Sequence, residues 1–203
     1  MLRGPTDLAG ILCGSIRHLL NLYDKPDYMR KLLQFCTHAL IWFVKKTLRD
    51  TPTFNDGYCL GSYNLWAPGI CIRFQEDFTS LYSPQFYTEF VGALDSEIAK
   101  SFDYSVFHMH TLQLNLINLI VENPNLKAVQ ITRDINFNDL EELIKTARLI
   151  QNRNKRLILR GPYSEKDIYR FSTQLSPVGL YIQNIIRIDE LNALTETMIK
   201  AWN

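Results

Sequence analysis

Long apolar runs are missing from this chain of 203 residues. None approaches the roughly 20 residues that a membrane-spanning helix needs, and the first residues lack a signal peptide's charged start and long apolar centre. An excess of one charge is missing too, because 22 lysines and arginines nearly cancel 21 aspartates and glutamates. No overall basic field therefore points to nucleic acid or to an anionic membrane surface. The four cysteines, Cys13, Cys36, Cys59 and Cys71, form neither a C-x-x-C pair nor a zinc-finger spacing, which fits reduced, core-filling thiols better than a disulfide scaffold. No Gly-x-Gly-x-x-Gly follows a strand-like run, so the dinucleotide-binding fingerprint is absent. These absences describe a soluble, cytoplasmic protein with no nucleic-acid or membrane partner, folded as a single domain over residues 1–203.

What is present is an alternation of apolar stretches with amphipathic ones. Leu2 to Pro5 reads as the tail of a strand, and Thr6 or Asp7 can cap the short helix that follows. A longer helix is expected from Lys25 to Leu48, with Pro26 in its first turn and Met29, Leu33, Cys36, Leu40 and Phe43 on its apolar side. Residues 51–68 are rich in turn formers and aromatics, which suggests a functional loop or lid. A strand from Gly69 to Phe74 ends at Gln75, Glu76 and Asp77, and Ser83-Pro84 then opens a helix with Phe86, Phe90, Leu94 and Ile98 buried. Further strands are expected at Tyr104–His110, Ala128–Thr132, Arg156–Leu159 and Gly179–Gln183. The helices between them run over Leu112–Val121, from a cap at Asn138, and from a cap at Ser164, with a closing helix from Asp189 to Trp202. With no hairpin signal, this order implies a parallel sheet with helices outside it. Six strands are counted, two short of a closed (β/α)8 barrel; an open doubly wound sheet is the alternative.

The stretch Tyr104-Ser-Val-Phe-His-Met-His110 carries the sharpest chemistry. Strand side chains repeat their facing every second residue, so His108 and His110 project from one face at a strand's carboxyl end, where ligands of α/β proteins collect. Two histidines there can also simply hydrogen-bond a neighbouring loop. Glu76 and Asp77 can be catalytic carboxylates or a helix cap and a loop salt bridge. Arg160 can grip a substrate carboxylate or pair with a neighbouring acid, and Gln130 can reach substrate if it faces inward. Tyr63 and Trp66 can cover a ligand or fill core.

Several segments in order resemble the uroporphyrinogen decarboxylase superfamily. Arg3-Gly-Pro-Thr-Asp-Leu8 is similar to its Gly-x-Pro-x-x-Leu segment after the third strand, and Phe74-Gln-Glu-Asp77 with Leu81-Tyr-Ser-Pro-Gln-Phe-Tyr-Thr-Glu-Phe90 to the segment after the fourth. Phe107-His-Met-His110 falls at the end of the fifth strand, Leu159-Arg-Gly-Pro162 at the seventh and Leu180-Tyr-Ile182 at the eighth. The resemblance implies a (β/α)8 TIM-barrel type fold, incomplete here, with about six of eight βα units and without the first two strands. It also implies decarboxylase or corrinoid methyltransferase chemistry on a small-molecule substrate, with a corrinoid as possible substrate or partner. The methyltransferase branch sets zinc on a histidine and a cysteine two residues apart; His108 matches the histidine and His110 stands where the cysteine would be. Glu76, Asp77 or Asp134 could then supply an oxygen ligand, a set suited to zinc or iron. On this reading Glu76, Asp77 and His108 are catalytic, His108 and His110 hold metal, and Trp66, Gln75, Gln130, Arg160 and Gln183 contact substrate.

The departures are as specific as the matches. The decarboxylases' tyrosine after the third strand would fall near Ile11, their histidine after the eighth strand has no counterpart following Gln183, and their first two strands are absent. A non-catalytic ligand- or metal-binding module, or an inactive barrel fragment, is therefore the alternative to an enzyme. An arc with open edges and uncovered apolar faces should also associate, as a homodimer or with a complementing N-terminal barrel fragment.

Overall fold

Five parallel strands pair in the order in which the chain makes them. The computed structural model describes residues 3–185, 195, 196, 199 and 200, and the closing helix expected from Asp189 to Trp202 lies outside the continuously described residues. Two short helices, α1 (Pro5–Cys13) and α2 (Ser15–Asp24), lead into the long α3 (Pro26–Arg49). A small hairpin, β1 (Tyr58–Leu60) and β2 (Leu65–Ala67), precedes the first sheet strand, β3 (Cys71–Gln75). Then come α4 (Pro84–Phe90), α5 (Gly92–Lys100), β4 (Tyr104–His110), α6 (Ile117–Val121), β5 (Ala128–Thr132), α7 (Leu140–Asn152), β6 (Arg156–Gly161), α8 (Glu165–Gln174) and β7 (Leu180–Asn184). The sheet order is β3-β4-β5-β6-β7, with every neighbouring pair parallel. The chain is thus an α/β fold whose parallel sheet is flanked by helices.

Period two divides the sheet into two different faces. Ile72, Phe74, Phe107, Met109, Val129, Ile131, Leu157 and Leu159 share one core with Met29 and Leu33 of α3, Leu143 and Ile144 of α7 and Phe171 of α8. The alternate residues face away from that core. At the amino ends they are apolar, with Cys71, Val106, Ala128 and Ile158 packing on Ala67 of the hairpin. Toward the carboxyl ends they turn polar: Gln75, His108 and Gln130 are in register across β3, β4 and β5, and His110, Thr132, Arg160 and Gln183 across β4 to β7. The helices therefore cover one face, and polar chemistry is gathered on the other.

Several local expectations need correction. Of the expected sixth strand, residues 3–5 are described and carry no strand: Gly4 is extended, and its N–H donates to the Gln75 carbonyl at 2.8 Å. Residues 51–68 contain a hairpin, with Cys59 opposite Trp66; its three-residue strands are too short to show a period, and a 3-10 turn with Asn64 in the left-handed region joins them. Residues 15–24 form a helix of their own. The helix after Ser83 breaks at Val91, and Asp139 rather than Asn138 caps α7 by accepting from Glu142 N–H. Thr6 and Asp7 lie inside the first turn of α1, whose N-cap is Gly4, and they bond to the chain after β3 instead. No helix among the described residues is long and apolar enough to cross a membrane.

That last contact sets a tight steric limit. A Cβ on Gly4 would lie 2.0 Å from Glu76 Oε1 and 2.1 Å from the Gln75 carbonyl oxygen, inside any tolerable approach. Gly4→Ala is expected to cost about 3 kcal/mol, at the upper end of overpacking penalties, read as a lower urea midpoint at unchanged slope. A midpoint equal to wild type would show that α1 does not dock this closely.

Candidate metal centre

Both histidines of β4 are held by neighbours, and for His108 the partner fixes which nitrogen carries the proton. Gln130 Nε2 donates to Thr132 Oγ1 at 2.9 Å, so the amide presents Oε1 to His108 Nδ1. An amide oxygen only accepts, which makes His108 Nδ1 the N–H and leaves Nε2 with its lone pair. Tyr63 supports this arrangement from the hairpin, donating to Gln130 Oε1 at 2.6 Å and lying 3.2 Å from His108 Nδ1. Burial, reinforced by the positive charge of Arg73, pushes the His108 pKa down to about 3. The ring is therefore neutral at physiological pH, as a ligand must be.

His110 is held beside a carboxylate. Its Nδ1 lies 2.7 Å from Asp134 Oδ1, and Thr111 Oγ1 donates to Asp134 Oδ2 at 2.7 Å. Burial would raise the Asp134 pKa, but the hydrogen bonds from Thr111 and His110 outweigh it and hold the group below its usual range. The ring also accepts from the Gln113 backbone N–H while the Gln113 side chain accepts from His110 N–H, so His110 is held between the carboxylate and the turn that follows β4. This is the carboxylate–histidine arrangement that orients metal ligands.

Asp77 completes the group. The chain leaves β3 and enters a 3-10 turn at Asp77–Leu81, which brings the carboxylate over the end of β4. Gln75 Nε2 donates to Asp77 Oδ2 at 2.6 Å, while Oδ1 has no donor among the described residues and lies 4.0 Å from His108 Nε2. Ligand atoms of Asp77, His108 and His110 all fall within 4.8 Å of one another, and the two imidazoles stand nearly perpendicular with centroids 4.9 Å apart. Two imidazoles and one carboxylate oxygen converge without hydrogen-bonding each other. That donor set suits zinc or iron and leaves coordination positions open.

The other expected residues separate by role. Gln75 holds Asp77, Gln130 holds His108, and Asp134 orients His110. Arg160 and Gln183 occupy the row of His110 on β6 and β7. Trp66 stays apart: it is half exposed on β2, and its Nε1 donates to the Phe54 carbonyl at 2.9 Å. Glu76 also lies outside the cluster, fully buried and turned toward α1, where Thr6 N–H donates to its Oε2 at 2.8 Å. Asp7 and Arg73 were not among the expected site residues. Asp7 Oδ2 lies 3.2 Å from Gln75 Nε2, and Arg73 Nε donates to the Tyr63 hydroxyl at 2.8 Å. For Arg73 the sequence held a signal, a charge in mid-strand at the same parity as Gln75.

Fold and site together define an α/β protein with a candidate two-histidine, one-carboxylate centre at the carboxyl ends of a parallel sheet. Models of known protein families and curated protein sequences give no match to the chain.

Proposed function

We propose that the sheet is a five-strand arc of a (β/α)8-type barrel, and that Asp77, His108 and His110 hold zinc or iron for an enzyme acting on a small molecule. The observation that carries this is the convergence: Gln130 takes the His108 Nδ1–H and leaves its Nε2 lone pair 4.0 Å from an unbonded Asp77 oxygen, with a ring nitrogen of His110 within 4.8 Å of both ligand atoms. The strand order supports the barrel, since it runs in sequence with the helix-covered core on one face, whereas a doubly wound sheet reverses its order at a switch point. The chemistry stays within the decarboxylase and corrinoid methyltransferase resemblance. Nitrogen and oxygen ligands without a thiolate favour a Lewis-acid role, in which a bound ion offers an open position to a substrate oxygen or thiol. The four free cysteines fit a reducing cytoplasm.

The test is elemental analysis of the purified protein and of protein reconstituted with zinc or iron, with His108→Ala alongside. About one equivalent of metal, lost in the variant, is the expected result.

The exposed faces of the first helices favour a partner. Ile16, Tyr23 and Trp42 are 76%, 72% and 67% exposed, large apolar side chains of α2 and α3 that solvent alone covers poorly. A second copy of the chain, or a complementing fragment, would cover them. Light scattering is expected to give a dimer or larger species; a monodisperse monomer across a concentration series rejects this part of the reading.

A further inference from the structure

Arg160 is a charge on the site face without an acid. It lies in register with Thr132 on β5 and Gln183 on β7, in the row that begins at His110 on β4. Period two therefore turns its side chain to the face that carries both histidines. Four arginines among the described residues are at least partly buried. Arg133 pairs with Asp167, Arg170 with Glu141, and Arg73 donates to the Tyr63 hydroxyl. Arg160 alone of the four has neither a hydrogen bond nor an ion pair among the described residues. Its Nε is closed off, whereas the residue is part-exposed and its Nη1 and Nη2 are not closed off from solvent. An arginine cannot shed its proton to escape partial burial, and the cost is ordinarily offset by a carboxylate. The carboxylates of the site are taken: Asp134 holds His110, and Asp77 accepts from Gln75.

The neighbours give this charge a direction. Thr132, between His110 and Arg160 in the row, accepts from Gln130 at 2.9 Å and keeps its own hydroxyl hydrogen for another acceptor. The positive charge of Arg160 acts on both His108 and Tyr63, so the guanidinium is within electrostatic reach of the candidate centre. Neighbouring strands stand about 4.8 Å apart, which separates β4 from β6 by roughly 10 Å. A molecule of a few carbon atoms spans that gap.

We infer that the substrate is a short organic acid: Arg160 takes its carboxylate as a bidentate pair through Nη1 and Nη2, and its far end faces Asp77, His108 and His110. The planar fork matches a carboxylate's two oxygens. Because Nε is closed off, the acid approaches end-on through the two outer nitrogens, with the Thr132 hydroxyl as a further donor beside it. The orientation of the far end rests on the proposed metal centre, whereas the anchor's own donors lie on β6 and act without the ion.

Thermal melts of the full-length protein, metal-stripped and reconstituted with zinc, test both halves with butyrate, 4-hydroxybutyrate, methyl butyrate and inorganic phosphate as probes. Both acids are expected to raise the melting temperature of the metal-stripped protein saturably, by about 5–10 °C when present at ~100-fold their dissociation constants. The uncharged ester should do nothing. Zinc should tighten 4-hydroxybutyrate, whose hydroxyl can reach the ion, and leave butyrate unchanged. Arg160→Gln should abolish the shifts, and Arg160→Lys, which keeps the charge but loses the fork, should weaken acid binding by at least about 10-fold. Arg156→Gln, at the exposed amino end of the same strand, should respond as wild type does, with circular dichroism confirming each fold. No saturable shift with either acid, a shift undiminished in both Arg160 variants, a response to the ester or to phosphate alone, or zinc-loaded protein that does not prefer 4-hydroxybutyrate would overturn the inference. Acid shifts that depend on Arg160 in a protein that binds no zinc would support the anchor and remove the metal reading alone.

Discussion

His108→Ala is expected to lower zinc affinity by more than about 100-fold, and Gln130→Leu by about 10- to 100-fold, although the second change leaves all three ligands in place. The ordering follows from what each side chain does. His108 supplies a donor atom, so its removal leaves only one nitrogen and one oxygen. Gln130 supplies none, but its Oε1 fixes the proton on His108 Nδ1 and keeps Nε2 unprotonated. Without that acceptor the ring is free to swap tautomers or rotate, and a lone pair that faced Asp77 is lost part of the time. Competition against a chromophoric chelator reads both affinities, with circular dichroism confirming that each variant is folded. Equal affinity in wild type and Gln130→Leu would mean that the amide does not control the ligand. Absence of metal both as purified and after reconstitution would remove the centre itself.

The histidine pair was legible because β4 is a regular strand: period two holds from Tyr104 to His110, and facing follows from spacing alone. The carboxylate was not. Glu76 and Asp77 are adjacent, and at Glu76 the backbone leaves the extended region for φ −130, ψ 60 before the 3-10 turn. Alternation stops where the strand stops, so nothing in the sequence says which of the two acids turns toward β4. Asp134 lay within reach of the same strand ends, and its role as the partner of His110 Nδ1 rather than as a ligand depends on a 2.7 Å contact that spacing does not encode. The hairpin was hidden for a related reason, since Tyr58–Leu60 and Leu65–Ala67 are shorter than any readable period. Its consequence for the site is direct: it carries Tyr63, which ties Arg73, Gln130 and His108 into one network.

Glu76, once removed from the metal centre, explains a different property. Thr6 N–H donates to its Oε2 at 2.8 Å, and the Tyr87 hydroxyl donates to Asp95 Oδ2 at 2.6 Å. Glu76 Oε1 and Asp95 Oδ1 are both buried without a donor, and each carboxyl acts on the other's titration. One proton shared between them would satisfy both oxygens and tie α1 and the end of β3 to α5. Burial raises the Asp95 pKa to about 7, and burial together with the charge of Asp95 raises Glu76 well above its ordinary 4.5. A carboxyl raised in the folded state contributes stability that is present below its unfolded value and is lost as pH rises through the folded one. Below about pH 6.5 the trend reverses, because burial keeps His18 and His108 neutral in the fold, lowered to about 4 and about 3, while the unfolded chain protonates them. The carboxyl pair therefore shows cleanly only above neutrality. From about pH 7 to about pH 8.5 wild type is expected to lose on the order of 2 kcal/mol, a fall of roughly 4–8 °C in melting temperature. In Glu76→Gln the amide can donate to Asp95 in place of the shared proton while its oxygen still accepts from Thr6, so the slope over that window should nearly vanish. Thermal melts of both proteins at a series of pH values decide it: parallel slopes would mean that the proton held between Glu76 and Asp95 is not what the fold loses on deprotonation.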